Sequence, residues 1–132
     1  MGFWEVQHGH AEWSQKYLDD WLALALFDGF QQIEQPVYSP HLRGQRNPGD
    51  EESEIPNYFT DLSAALRLAE LIREDWSLCL SVEVDEYHAQ VRRRGTDIGW
   101  VHIDSNPAEA VAYAVLSVKR YLAEERAKGS SP

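Results

Sequence analysis

The sequence predicts an α+β fold: a three-stranded antiparallel meander with helices packed on it, in the order helix, loop, helix, three strands, helix. Three observations carry that expectation. Apolar residues recur at helical spacing in 17–29, 55–72 and 105–118; after Trp76 the period falls from about 3.6 residues to 2; and turn signals then divide the chain into three short pieces. With 132 residues, 43% of them apolar and 11% aromatic, one domain spanning 1–132 is expected.

The first helix is read over 11–28. Trp13, Tyr17, Trp21 and Leu24 mark one stripe, Leu18, Leu22 and Ala25 fill the adjacent one, and Gly29 stands where a left-handed C-terminal cap belongs. So wide an apolar face suits a helix covered by more than one neighbour. From 30 to 59 the periodicity is lost, four prolines arrive and the acidic run Asp50-Glu51-Glu52-Ser53-Glu54 follows Asn47-Pro48-Gly49, so a long irregular loop is expected there. Tyr38, His41, Arg43 and Arg46 make 36–46 its ordered, binding-competent part, and the acidic run its solvated tip.

Thr60 or Asp61 caps a second, amphipathic helix whose inner face is Leu62, Ala65, Leu68, Ala69 and Ile72. A strand follows, with Leu78, Leu80, Val82 and Val84 alternating against Cys79, Ser81 and Glu83. Tight turns at Asp85-Glu86 and Gly95-Thr96 set Val84 opposite Tyr87, Val82 opposite Ala89, Leu80 opposite Val91 and Val91 opposite Trp100. That register leaves Cys79, Ser81, Glu83, His88, Gln90 and Arg92 on the polar face with Gly99, Val101 and Ile103. Asn106-Pro107-Ala108-Glu109 opens the closing helix with a capping Asn and Pro at the first helical position, and 128–132 is expected to be a disordered tail.

A formal charge of −10 argues against a nucleic-acid partner, because phosphate-backbone binders need a basic face. The helix–strands–helix order is shared with double-stranded RNA-binding domains, but Ala108 and Glu109 stand where phosphate-gripping lysines would be needed. Cys79 is the single cysteine, so no internal disulfide forms and a reducing compartment is expected. Neither a leader nor a membrane span is legible, which points to the cytoplasm with no membrane partner.

Four clusters carry chemistry. His8, His10 and Glu12 have alternate spacing that suits a metal ion, though without a second ligand cluster, and no cofactor is expected. Glu83 and His88 lie opposite each other in the expected register, a carboxylate orienting an imidazole; Cys79 is roughly 13 Å along the strand from Glu83, too far to complete a catalytic set. A polar pair stabilising the hairpin is the plainer reading. His102 falls on the aliphatic face as a satisfied core group. Arg92, Arg93 and Arg94 form the basic run, fit either for gripping a phosphate or for pairing with the acidic run.

Three segments resemble the phage ABA sandwich domain family, small proteins of tailed bacteriophages and prophages. That family has a leading helix of the form L-D-x-x-V-A-x-x-V-x-G, then P-x-Y-S-T-D-I-x-A-A-x-x-V, strands and a closing helix rich in small residues. The matching residues are Leu18-Asp19-Asp20-Trp21-Leu22-Ala23 with Gly29, then Pro56-Asn57-Tyr58-Phe59-Thr60-Asp61-Leu62-Ser63-Ala64-Ala65, and Pro107-Ala108-Glu109-Ala110-Val111-Ala112. Phe59 departs from the family's Ser. The resemblance implies phage or prophage origin and a three-layer fold, and no reaction.

The function expected is therefore a non-enzymatic phage accessory protein that binds a host or phage protein, with inhibition of a host defence system as its role. Binding of a nucleotide through Arg92–Arg94 and His88 is the alternative, and a weak hydrolase using Glu83, His88 and Cys79 the third reading. An unpaired third strand and the surplus apolar surface of the first helix point to a homodimer.

Overall fold

The computed structural model describes residues 15–35 and 41–129 and divides the chain into two compact units, Met1–Ile55 and Pro56–Pro132. The described residues form three helices and two three-stranded antiparallel sheets, an α+β architecture. The first unit holds α1 (Gln15–Phe27), β1 (Gln31–Glu34), β2 (Arg43–Gln45) and β3 (Ser53–Glu54). The second holds α2 (Leu62–Glu70), β4 (Trp76–Val82), β5 (Tyr87–Arg93), β6 (Gly99–Asp104) and α3 (Pro107–Gly129).

In the first unit, α1 ends as its glycine predicts. Gly29 has φ +100°, its N–H bonds the Leu26 carbonyl at 3.1 Å, and the Phe30 N–H reaches back to the Ala25 carbonyl at 3.0 Å. These two bonds satisfy carbonyls that the helix end would leave unpaired.

The segment expected to be a long irregular loop, 30–59, instead carries a sheet in the order β1-β2-β3. Its strands are four, three and two residues long, so no alternation long enough to read exists in the sequence. Long-range closure replaces periodicity: Phe30, Leu42 and Ile55 are buried, and the Ile55 N–H bonds the Leu42 carbonyl at 2.8 Å. A register shift between Gln31 and Glu34 puts Gln32 at φ 51°. Gly44 is needed at the centre, because a Cβ there would stand 3.0 Å from the Gln31 carbonyl oxygen.

In the second unit, Asp61 caps α2, accepting from the Ala64 N–H at 3.2 Å. Asn106 caps α3, accepting from the Ala108 N–H at 2.9 Å, while its amide donates to the Phe59 carbonyl at 3.0 Å. One side chain thus starts a helix and pins the segment that leads into another. The last helix includes Lys128 and Gly129, which the sequence assigned to a tail; favourable positive charge in the final turn sustains it.

The sheet runs β4-β5-β6. Its β5–β6 pairing is the expected one, with Val91 opposite Trp100 and Ala89 opposite His102. The β4–β5 pairing is displaced by two residues: Val82, not Val84, faces Tyr87, and Ser81, not Glu83, faces His88. The cause is the connection, in which Glu83 N–H bonds the Glu86 carbonyl at 2.8 Å, placing Val84 and Asp85 at the tip. A shift of two preserves side-chain parity, so every residue keeps its face.

Helix α3 packs on β5 and β6, and α2 on α3. Residues 108–118 of α3 are buried almost continuously, Ala108, Ala110, Ala112 and Ala114 allowing close approach on successive faces. Trp76 and Trp100 stack across the inner sheet face at 5.9 Å, with the Tyr121 ring edge-on to each at 5.6 and 5.7 Å. Phe59, read as a departure from a hydroxyl, is core: its ring lies 5.0 Å from that of Tyr113.

Candidate binding surface

Alternation along β4, β5 and β6 leaves one face of the second sheet outward. Ser77, Cys79 and Ser81 of β4 lie opposite Arg92, Gln90 and His88 of β5, which in turn lie opposite Gly99, Val101 and Ile103 of β6. Small polar groups thus line one edge, large hydrogen-bonding groups the middle, and aliphatic groups the other edge. Val101 and Ile103 are 53% and 56% exposed.

At one end of this face His88 Nε2 and Glu86 Oε1 are 2.9 Å apart. The carboxylate beside His88 is therefore Glu86, and the expected Glu83–His88 pair does not form because the register is displaced. Ser81 stands opposite His88 without a hydrogen bond between their side chains. Around these residues a concavity of about 420 Å³ is lined by Glu83, Val84, Asp85, Glu86 and His88.

The three arginines leave β5 and its turn in different directions. Arg92 is on the outer face; Arg93 Nη1 donates to the Tyr121 hydroxyl at 3.4 Å on the inner one. Arg94 donates through Nε and Nη2 to the Arg73 carbonyl at 3.1 and 2.9 Å, fastening the turn to the segment before β4. They do not converge on one anion site.

The binding residues expected in 36–46 mostly have structural partners within the first unit. His41 Nδ1 is 2.8 Å from Glu54 Oε1, and Arg43 Nε is 2.8 Å from Glu52 Oε1. The acidic run is therefore engaged across its own short sheet. Glu52 lies below the usual carboxylate range through its bond to Arg43, whereas Glu34 is raised by its side-chain hydrogen bond with Glu52 and by that group's charge. Arg46 donates to the Asp28 carbonyl at 2.7 Å and to its Oδ2 at 3.0 Å, and its guanidinium lies 4.3 Å from the Phe30 ring centre. Tyr38, His8, His10 and Glu12 lie outside the described residues. Among the described residues no cluster of three metal-ligating side chains occurs.

Two buried acids were missed by sequence reasoning. Asp20 has Lys16 Nζ at 3.0 Å, and Asp28 is held by Arg46. Asp20 falls within the Tyr17, Trp21 and Leu24 stripe, and that placement was the available signal. Asp28 carried none, since its partner is 18 residues away. His102 meets expectation: Nε2 is 2.7 Å from the Ser117 hydroxyl, its ring stacks on Tyr113, and burial lowers its pKa.

This is an α+β protein with an open, mixed polar–aliphatic sheet face. No protein-family model, curated protein or solved structure matches the chain. No helix among the described residues is long and apolar enough to cross a membrane.

Proposed function

We propose that this chain is a small non-enzymatic protein that acts by binding another protein through the outer face of β5 and β6. The observation that carries the reading is the exposure of Val101 and Ile103 beside Gln90, Arg92 and His88. Exposed aliphatic side chains bordered by hydrogen-bonding groups are a feature of protein–protein contacts. A nucleic acid would meet a chain of charge −10. A hydrolytic reading finds little support, because His88 has Glu86 beside it but no nucleophile hydrogen-bonded to it among the described residues. The alternative of a nucleotide held by Arg92–Arg94 is disfavoured by their divergence.

The segments 18–29, 56–65 and 107–112 support a phage or prophage source in this reading, and the partner is then a host protein, a component of a defence system, met in the host cytoplasm. The test is capture from host lysate with wild-type protein and with a Val101→Asp/Ile103→Asp variant shown to be folded by circular dichroism. A partner retained by wild type and lost by the variant is expected. Equal capture by both overturns the assignment of this face.

A further inference from the structure

We propose that the free edge of β4 pairs with a second copy of this chain, across a two-fold axis at Cys79, to make a six-stranded sheet. Among the described residues no strand other than β5 pairs with β4, so its outer edge is chemically unfinished. Arg94 N–H bonds the Asp75 carbonyl at 2.8 Å and Glu83 N–H the Glu86 carbonyl at 2.8 Å, which fixes the alternation along β4. Odd-numbered residues bond β5, so the backbone groups of Leu78, Leu80 and Val82 and the Trp76 carbonyl point outward. Nothing on β4 blunts this edge: it has no proline, no charged side chain and no bulge.

Antiparallel pairing can use only those even-numbered residues, and the register that engages the whole strand sets Trp76 opposite Val82 of the second copy and Leu78 opposite Leu80. The two ends of the edge complement each other. Beside its start, Leu66, Ala69, Trp76, Leu78, Arg73 and Arg94 line a cleft of about 370 Å³. At its end and just beyond it, Val82 and Val84 project from the hairpin, 73% and 96% exposed. A two-fold brings each projection to the other copy's cleft, the self-complementarity that an isologous contact requires.

Charge follows the same pattern. Four arginines (Arg73, Arg92, Arg93, Arg94) cluster at the start with three acids (Glu70, Glu74, Asp75), whereas Glu83, Asp85 and Glu86 stand at the end with His88. The pairing sets Asp85 near Arg73 of the other copy, and Glu83 near Arg94 as well as Asp75. β6, the other edge, begins just after Asp97 and ends on Asp104, so a two-fold there would bring acids together with no arginine on the strand to offset them.

The pairing sets Cys79, exposed and unbridged, opposite its own copy. Directly opposed residues of a non-hydrogen-bonded pair have Cβ atoms about 4.5–5.5 Å apart, which a small adjustment brings into disulfide range. Mild oxidation joins the two thiols, the copper–phenanthroline oxidant taking up two electrons and the two protons passing to solvent. Wild-type protein is expected to sediment at twice its 15.1 kDa mass and to give a covalent dimer on oxidation. Cys79→Ser should remain a dimer by sedimentation but give no covalent product, and moving the cysteine to Val101 in that background should give none either. Asp85→Arg, at an exposed turn, should weaken association about tenfold, and adding Arg73→Glu should restore it. A monomer at every concentration up to those used for NMR, a dimer that cross-links through Val101→Cys, or a dimer indifferent to Asp85→Arg would overturn the proposal.

Discussion

Arg46 shows how one side chain can be mistaken for a binding group. A cationic residue in a proline-rich segment looks available for a ligand, yet here it neutralises a buried carboxylate and the carbonyl end of α1 together. Arg46→Ala should therefore lower unfolding free energy by about 1–2 kcal/mol, read from denaturant midpoints at unchanged slope, and an unshifted midpoint would refute the role. His102 gives a pH signature. Burial lowers its folded pKa below the usual value near 6.5, so the unfolded chain binds a proton more readily than the native one. Its contribution is complete above that unfolded value and is lost as pH falls toward the folded one. His102→Gln, which keeps a hydrogen-bonding group for Ser117, should flatten the fall in melting temperature seen in wild type below about pH 6.5; an identical slope in both proteins would exclude His102 as its source.

Among the elements, legibility tracks how local the cause is. Asp61, Asn106 and Gly29 act on backbone groups within a few residues, so the end of α1 and the starts of α2 and α3 could be read directly from the sequence. The faces of β4, β5 and β6 were legible because alternation over six or seven residues is a long signal, while the register of β4 was not, because it depends on one hydrogen bond in the Glu83–Glu86 connection. The first sheet was illegible throughout: four, three and two residues held by Leu42, Ile55 and cross-strand ion pairs leave no periodic trace. The outer face could be listed residue by residue from the sequence, but Glu86 as the partner of His88 could not. Gly99 is a further element-level determinant. A Cβ on it would sit 2.4 Å from the Val91 carbonyl oxygen, a backbone atom that cannot move without opening the β5–β6 ladder. Gly99→Ala should cost about 1–3 kcal/mol and loosen the hydrogen-exchange protection of β6 before that of β4; uniform protection across the sheet would contradict this.

For the molecule as a whole, the dominant quantity is its charge of −10. Ion pairs in the first unit are short and local, Arg43–Glu52 and Arg46–Asp28 among them, and lie well inside a Debye length at any ordinary salt concentration. The repulsion among the excess acids acts over longer distances and is the part that salt screens. The same imbalance that keeps polyanions away therefore also works against the compact state. Raising ionic strength from near zero to about 0.15 M shortens the screening length to about 8 Å, which should relieve the repulsion while leaving the contact pairs largely intact. The melting temperature is accordingly expected to rise with added sodium chloride over that range, and no duplex DNA should be retained even at its low end. A fall in melting temperature on adding salt would mean that attractive pairs, not net repulsion, govern the electrostatics, and the acidic surface would then stabilise the fold through its contacts instead of opposing it through its charge.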